Sequence, residues 1–372
     1  MGYKVSEFGA DILTDISTFC EREVKERSAA ADHAHTFPAE MYEAAAEMGL
    51  SSLAVPEACG GPGLTLQEQA ACIEKAAWYD GGLAASLLTD NLAAGCVFRY
   101  AGEEVRNLCS EALLAGRSGA FCLTEENAGS DIGGIQTAAV PDGDGYRING
   151  VKKFVSNAGI AGFFVVFAKL EEGLTAFFVP AQTTGISIGA EEDKLGIRTC
   201  STCEVAFTDV TVPAAMMIGS AGDGARIAMA ALTSGRAFCG AAAAGLAQRA
   251  LDEAIRYSKE REQFGGPLSD SPVIRAKLAD MYMKTLAAQQ VCRHAFELLE
   301  QGEDAVTEAA AAKCLAGDAA AYCANEALQI FGGNGYCEAY PAEKILRDAR
   351  AFQIVEGTNE IQRQLIGGRL VK

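Results

Sequence analysis

The segment FQIVEGTNEIQ, residues 352–362, places a carboxylate, Glu356, between an apolar pair (Ile354, Val355) and a glycine, just ahead of a hydroxyl, Thr358, and a helix-like run. A glycine inside a helix costs about 1 kcal/mol relative to alanine, so Gly357 marks a backbone that something must approach closely. A carboxylate desolvated by the apolar Ile354 and Val355 beside such a backbone suits general-base chemistry. Burial disfavours its charged form and lifts it from a free value of about 4.3 toward neutrality.

Four further segments hold groups able to bind a ligand. LTEENAGSD, residues 123–131, offers the hydroxyls of Thr124 and Ser130 and amides near Gly129, either a cradle for a phosphate or heteroaromatic ring or a capped turn. KKFVSNAG, residues 152–159, spaces Phe154 and Ser156 two apart on one side of a strand, which suits a flat cofactor or, equally, a core Phe beside a surface Ser. In EREQFGGP, residues 260–267, Arg261 and Phe264 end a long helix before Gly265-Gly266, where a cation also answers the helix dipole. QIFGGNGY, residues 329–336, is a glycine-rich helix end that exposes amides or simply caps.

Other signals carry no chemistry. GISIG, residues 185–189, fits G-x-S-x-G but lies in strand-like sequence, without the strand-to-helix turn a serine nucleophile needs. Cys200 and Cys203 form a C-x-x-C pair with neither a second pair for zinc nor a βαβ setting for thiol exchange. His33, His35 and His294 have no neighbours at ligand spacing, so no metal site is expected. No G-x-G-x-x-G follows a strand and opens a helix, and a Rossmann nicotinamide site has no support.

The elements that must position these groups fall into three blocks. Residues 1–117 read as helical: Pro38 opens a helix ending at Gly49, Thr65 and Glu68 form a capping box for a helix ending at Gly81-Gly82, and two more follow over 83–101 and 103–115. Over 118–222 the period changes to two, in runs such as GFFVVFAKL and EVAFTDVTVP, with a PDGDG hairpin turn at 141–145; an antiparallel sheet is expected. Residues 223–372 return to long alanine-rich helices, roughly 223–261, 272–300, 304–331 and one after Thr358, whose lengths suit an antiparallel bundle. The fold class is α+β, mostly α.

Composition agrees. At 372 residues, 49% hydrophobic and 22% charged, the chain can build large cores. A formal charge of −18 argues against nucleic acid or anionic lipid as partners. Thirteen scattered cysteines and an N-terminus without a signal core point to a reducing, cytoplasmic compartment, and no apolar run is expected to cross a membrane.

In this order the segments resemble those of the acyl-CoA dehydrogenase family, over essentially the whole chain. The resemblance implies FAD, with Phe121, Leu123, Thr124 and Ser130 in a flavin loop, Phe154 against the flavin ring and Ser156 near its N5. It implies that Arg261, Gln263 and Phe264, with Gln329, Gly332 and Gly333, reach the FAD of a neighbouring subunit in a dimer of dimers, and that Thr358 and Glu360 lie at the cofactor. TSGR, residues 233–236, matches a CoA-contacting stretch, so Thr233, Arg236, Ser130 and Gly357 become substrate contacts. Glu356 falls on the catalytic base, which takes the α-proton of an acyl-CoA while hydride leaves the β-carbon, with an electron-transferring flavoprotein as partner; the reverse reaction is enoyl-CoA reduction. Alternatives on the same fold are a lyase, a hydroxylase or a non-catalytic flavin-binding scaffold.

The sequence departs from the family pattern at several places. Glu126-Asn127 stands where Pro-Gly is common, Phe154 for Trp, Thr233 for an acid, Ser271-Pro272 for a polar pair and Val355 for Tyr. With Ala93, Ala94 and Gly95 also small, extra room in the acyl pocket is expected, for a branched or aromatic acyl group, or a short polar one near Asp90 and Asn91.

Overall fold

The computed structural model describes residues 2–371. The first helix, α1 (Glu7–Phe19), passes through a π-helical turn at Cys20–Val24 into α2 (Lys25–Ala34) and is followed by α3 (Ala39–Glu47). Both arms of the capping box open α4 (Leu66–Tyr79): Glu68 N donates to Thr65 Oγ1 at 3.2 Å and Thr65 N to Glu68 Oε2 at 2.9 Å. Then come α5 (Gly81–Tyr100) and α6 (Glu103–Leu114). The expected stop at Gly81-Gly82 is instead the first turn of α5, because Asp80 caps it by accepting from Leu83 N at 2.7 Å. Those glycines serve packing: a Cβ on Gly82 would stand 2.0 Å from Thr199 Oγ1, and one on Gly81 3.0 Å from Asp348 Cβ.

The sheet strands are β1 (Ser118–Cys122), β2 (Ala138–Asp142), β3 (Gly145–Ser156), β4 (Ala161–Leu170), β5 (Gly173–Pro180), β6 (Ile186–Glu191), β7 (Thr202–Pro213) and β8 (Met217–Ile218). They run in the order β6-β7-β3-β2-β4-β5-β8, with β1 beside β4. The sheet is mixed, not purely antiparallel as expected: β1 pairs with β4 in parallel, and β2 touches β4 in parallel at Ala138 and Lys169. Parallel partners need a long connection. β1 has one, since the loop after it, β2 and β3 all intervene before β4. The PDGDG turn closes the β2–β3 hairpin at Asp142 and Gly145, with Gly143 at φ 62°. GISIG lies in β6.

From residue 224 the chain is helical again: α7 (Gly224–Glu260), a two-residue hairpin of β9 (Glu262–Gln263) and β10 (Gly266–Pro267), then α8 (Pro272–Gln301), α9 (Val306–Phe331), α10 (Ala342–Ala351) and α11 (Asn359–Leu370). The short, highly charged α10 is not among the expected helices. It buries only one side, at Ala342, Ile345, Asp348 and Ala349.

Two buried clusters hold the molecule, and α5 belongs to both. Leu83, Leu87 and Leu88 pack with the helical bundle, whereas Leu92, Ala93 and Val97 pack with the sheet. By length and composition alone α5 and α7 would be able to cross a membrane. Most of each is buried inside the fold as core.

Candidate active site

Glu356 sits on the turn between α10 and α11, at φ 56°, followed by Gly357 at φ 83°. Two left-handed residues in succession, one of them not glycine, cost about 1–2 kcal/mol. Gln362 holds the turn by donating Nε2 to the carbonyls of Glu356 (3.1 Å) and Gly357 (2.9 Å), and Thr358 caps α11 by accepting from Ile361 N. The left-handed turn separates Glu356 from its chain neighbours. Ile354 and Val355 are 51% and 37% exposed, so they do not supply the expected desolvation. It comes from two other helices: a Cβ on Gly235 of α7 would lie 2.6 Å from Glu356 Oε2 and 2.8 Å from Leu92 Cδ1 of α5. Only a glycine at 235 leaves the carboxyl its place. Glu356 Oε2 is buried with no partner among the described residues, and burial lifts the carboxyl to about 7 against the opposing pull of Arg236 and Lys313.

Arg236 follows Gly235 and is 4% exposed. Its Nε and Nη1 are also buried without partners, and burial lowers its pKa against the opposing pull of Glu356. A buried polar atom left unpaired costs about 1–3 kcal/mol, so unpaired donors and an unpaired acceptor around one spot fit a polar ligand group. Any CoA contact of Arg236 therefore belongs at the buried, Glu356 end of the ligand. The Thr233 hydroxyl donates to Met229 O at 2.8 Å within its own helix, which leaves only its oxygen lone pairs for a ligand.

The loop after β1 lies within the sheet domain. Phe121 is half-buried against Phe167, with ring centroids 5.0 Å apart, and Leu123 is buried. Lys153 N donates to Thr124 O at 2.9 Å, while Ser130 is exposed beside Gly129, whose missing side chain faces open space. Phe154 occupies a bulge at φ 52° and is 62% exposed, with half-buried Ser156 two residues on.

Sequence reasoning missed the groups that hold this loop. Lys152 is fully buried, and its Nζ donates to Glu125 Oε1 (2.8 Å) and Leu123 O (3.2 Å). Glu125 also accepts from Gln136 N (2.6 Å) and Thr137 N (2.9 Å); burial pushes it up, but these bonds prevail and hold it at about 2. A lysine at an inward position of a period-two strand was the available signal. Asn157, at φ 64°, donates Nδ2 to Ser86 O (3.0 Å), Asp90 Oδ1 (3.1 Å) and Gly119 O (3.2 Å), fixing the end of β3 to α5.

That network engages the polar groups named for the acyl pocket. Asp90 is taken up by Asn157 and by Gly119 N at 2.8 Å, and Asn91 by Gln69. Ala93 is small because β1 crosses it: a Cβ on Gly119 would stand 3.0 Å from the Cβ of Ala93. Ala94 is buried, and only Gly95 opens to free space.

The remaining residues gather elsewhere. Arg261, Gln263 and Phe264 are exposed at the far end of α7, Phe264 at φ 54°. Gln329, Gly332 and Gly333 are exposed on the end of α9, which is tied there by Asn334 Nδ2 donating to Tyr257 OH (2.8 Å) and by Tyr257 stacking on Phe331 at 4.0 Å. Along one straight helix, Arg261 lies roughly 38 Å from Arg236 at a rise of about 1.5 Å per residue. Glu360 is exposed in the first turn of α11.

Three family models match the chain: the acyl-CoA dehydrogenase N-terminal domain over residues 9–117, the middle domain over 120–210 and the C-terminal domain over 222–371. The butyryl-CoA dehydrogenase structure from Megasphaera elsdenii is 37% identical, with a TM-score of 0.96 and 100% of both chains covered. A chain in the structure of the electron transferring flavoprotein of Acidaminococcus fermentans is 35% identical at the same TM-score, again covering 100% of each. The FAD complex of PigA is 27% identical, with a TM-score of 0.92, covering 100% of this chain and 99% of that one. Among curated sequences, the acryloyl-CoA reductase (NADH) of Anaerotignum propionicum is 37% identical over 95% of this chain and 92% of its own.

Proposed function

The chain belongs to the acyl-CoA dehydrogenase family, and we propose that it moves two hydrogens between FAD and the Cα–Cβ bond of a CoA thioester. One observation carries the reading: a carboxyl, Glu356, buried with an unpaired Oε2 and lifted to about 7. FAD is the cofactor, and when bound it supplies the two-electron acceptor or donor. Phe121, Leu123, Thr124, Ser130, Phe154 and Ser156 would hold it from one chain.

In the oxidative direction the ionised Glu356 takes the α-proton. Its own N–H donates to no acceptor among the described residues and is available to the thioester carbonyl, where negative charge develops. Arg236, beside it, offers unpaired donors to the same buried end. In the reductive direction the protonated Glu356 returns the proton. A carboxyl near 7 populates both forms at neutral pH, so the site itself does not choose. The similarity to an acryloyl-CoA reductase supports the reductive reading, and the likeness to a chain in an electron transferring flavoprotein structure supports such a flavoprotein as electron partner.

Arg261, Gln263, Phe264, Gln329, Gly332 and Gly333 lie too far along the bundle to share a flavin with Glu356 of the same chain, so we assign them to the FAD of a second copy, within a dimer of dimers. The experiment is an anaerobic titration of the purified holoenzyme with saturated acyl-CoAs, short, branched and arylpropionyl, followed by flavin absorbance. Bleaching by one member is expected and names the acyl class. If none bleaches the oxidised flavin, and no enoyl-CoA reoxidises the dithionite-reduced flavin, the reading is wrong.

A further inference from the structure

Resting on the base assigned to Glu356, we propose that Lys313 of α9 is its positioning residue: through Asn359 it holds the turn that carries Glu356, and its buried ammonium serves as that carboxylate's counter-charge.

Lys313 is fully buried, yet its hydrogen bond goes to a neutral amide, Nζ to Asn359 Oδ1 at 2.8 Å. Lys152, equally buried, and Lys344, 14% exposed at its side chain, sit directly on carboxylates. Lys152 meets Glu125 at 2.8 Å, and Lys344 meets Asp80 at 2.8 Å and Asp348 at 2.6 Å. Burial lowers the Lys313 pKa, and a buried ammonium costs several kcal/mol unless a negative charge answers it; with no carboxylate among the described residues in hydrogen-bond range, that charge acts on Lys313 from farther off. The groups facing Lys313 are Cys239 of α7, Cys314 and Asp318 of α9, and Glu356. Burial pushes the Cys239 thiol to about 12, and it raises Cys314, so both are neutral. Asp318 is taken by Arg363, by Gln353 Nε2 at 2.7 Å and by Asn359 Nδ2 at 2.8 Å. Glu356 is the carboxylate left. The charges facing Glu356 in turn are Arg236 from α7 and Lys313 from α9.

The same stretch of α9 grips both ends of the turn. Asn359 Nδ2 also donates to Cys314 O at 3.2 Å, and Asn359 N to Gln353 O at 3.0 Å. Gly317 lets Phe352 come close, since a Cβ there would stand 2.7 Å from Phe352 O. Residues 352 and 353 thus leave from, and 359 returns to, the surface of α9 around Lys313, with Glu356 at the apex between them.

The test reads the carboxyl of Glu356 directly in the holoenzyme, as the infrared carboxyl band that disappears in Glu356→Gln. Lys313→Met is expected to raise the pH midpoint of that band by about one unit, a tenfold change in acidity. Lys313→Arg is expected to restore it, and the acid limb of kcat/KM should move in parallel. A folded Lys313→Met with the wild-type midpoint overturns the proposal. Should Lys313→Met fail to fold, Asn359→Asp decides: it keeps the ammonium in place but pairs it, so the midpoint must rise, and an unmoved midpoint counts against the role. The band needs no thioester. A wild type that turns over no acyl-CoA would sink the functional reading while leaving the Lys313 question answerable.

Discussion

Glu356 trades stability for a usable proton. Its folded pKa of about 7 exceeds the free value of about 4.3, so the folded chain binds the proton more tightly than the unfolded chain. Between those values the unfolded state carries fewer protons, and stability must fall as pH rises through the window. Glu356→Gln removes the penalty. Its melting temperature should match wild type near pH 4 and exceed it by pH 8; a difference that does not grow with pH would mean that the carboxyl is not desolvated in the folded chain. The same variant should lose about 100- to 10,000-fold in kcat, the usual contribution of a general base, with flavin content unchanged. The strain of the left-handed Glu356 and the unpaired Oε2 is thus confined to the turn that the proposed chemistry uses.

At the scale of the element, β3 is a scaffold that points one lysine inward to hold the loop after β1, the proposed flavin loop. Truncating one partner of a buried pair costs about 3–5 kcal/mol, because the other charge is stranded. Lys152→Met should therefore loosen residues 123–137, and purified protein should carry far less flavin per chain by absorbance; full retention would show that the loop stands without the pair. Glu125, held at about 2, contributes stability that is fully present above the ordinary carboxylate range and lost as pH falls toward 2, so flavin release should follow the same acid limb. These elements also show what a sequence can reveal. The long helices of both α regions, the capping box at Thr65 and the hairpin at 141–145 were legible because hydrophobic period and turn chemistry are local, whereas the short α10 was not. The oddity of a carboxylate before Gly357 was legible too. The mixed sheet, the role of Gly81-Gly82 as contact points and the desolvation of Glu356 by Gly235 and Leu92 were not, because each is set by an element distant in the chain. Ile354 and Val355, adjacent in sequence, were credited with a burial that a positive φ turns away from them.

At the scale of the whole molecule, α8 leaves an open account of surface. Its inner face is buried at Met281, Thr285, Ala288 and Cys292, but Val273, Tyr282, Met283 and Leu286 on the other side are also apolar and 38% to 65% exposed. Large apolar side chains gathered on the outer side of a surface helix mark a contact surface. A chain with a formal charge of −18 repels its own copies at long range, so any association between copies must come from apolar contact of this kind. The exposed Phe264 and Tyr336, fully presented at the end of the bundle opposite Glu356, meet the same requirement. Together they argue that the flavin site is completed only by assembly. Met283→Glu with Leu286→Glu should shift sedimentation toward the monomer and, in the same preparation, release FAD, although neither residue is assigned to the flavin. Monomers that keep stoichiometric FAD would separate the two and return Arg261, Gln263 and Phe264 to some other role; an assembly that survives both charges would place the interface on a different face of the bundle.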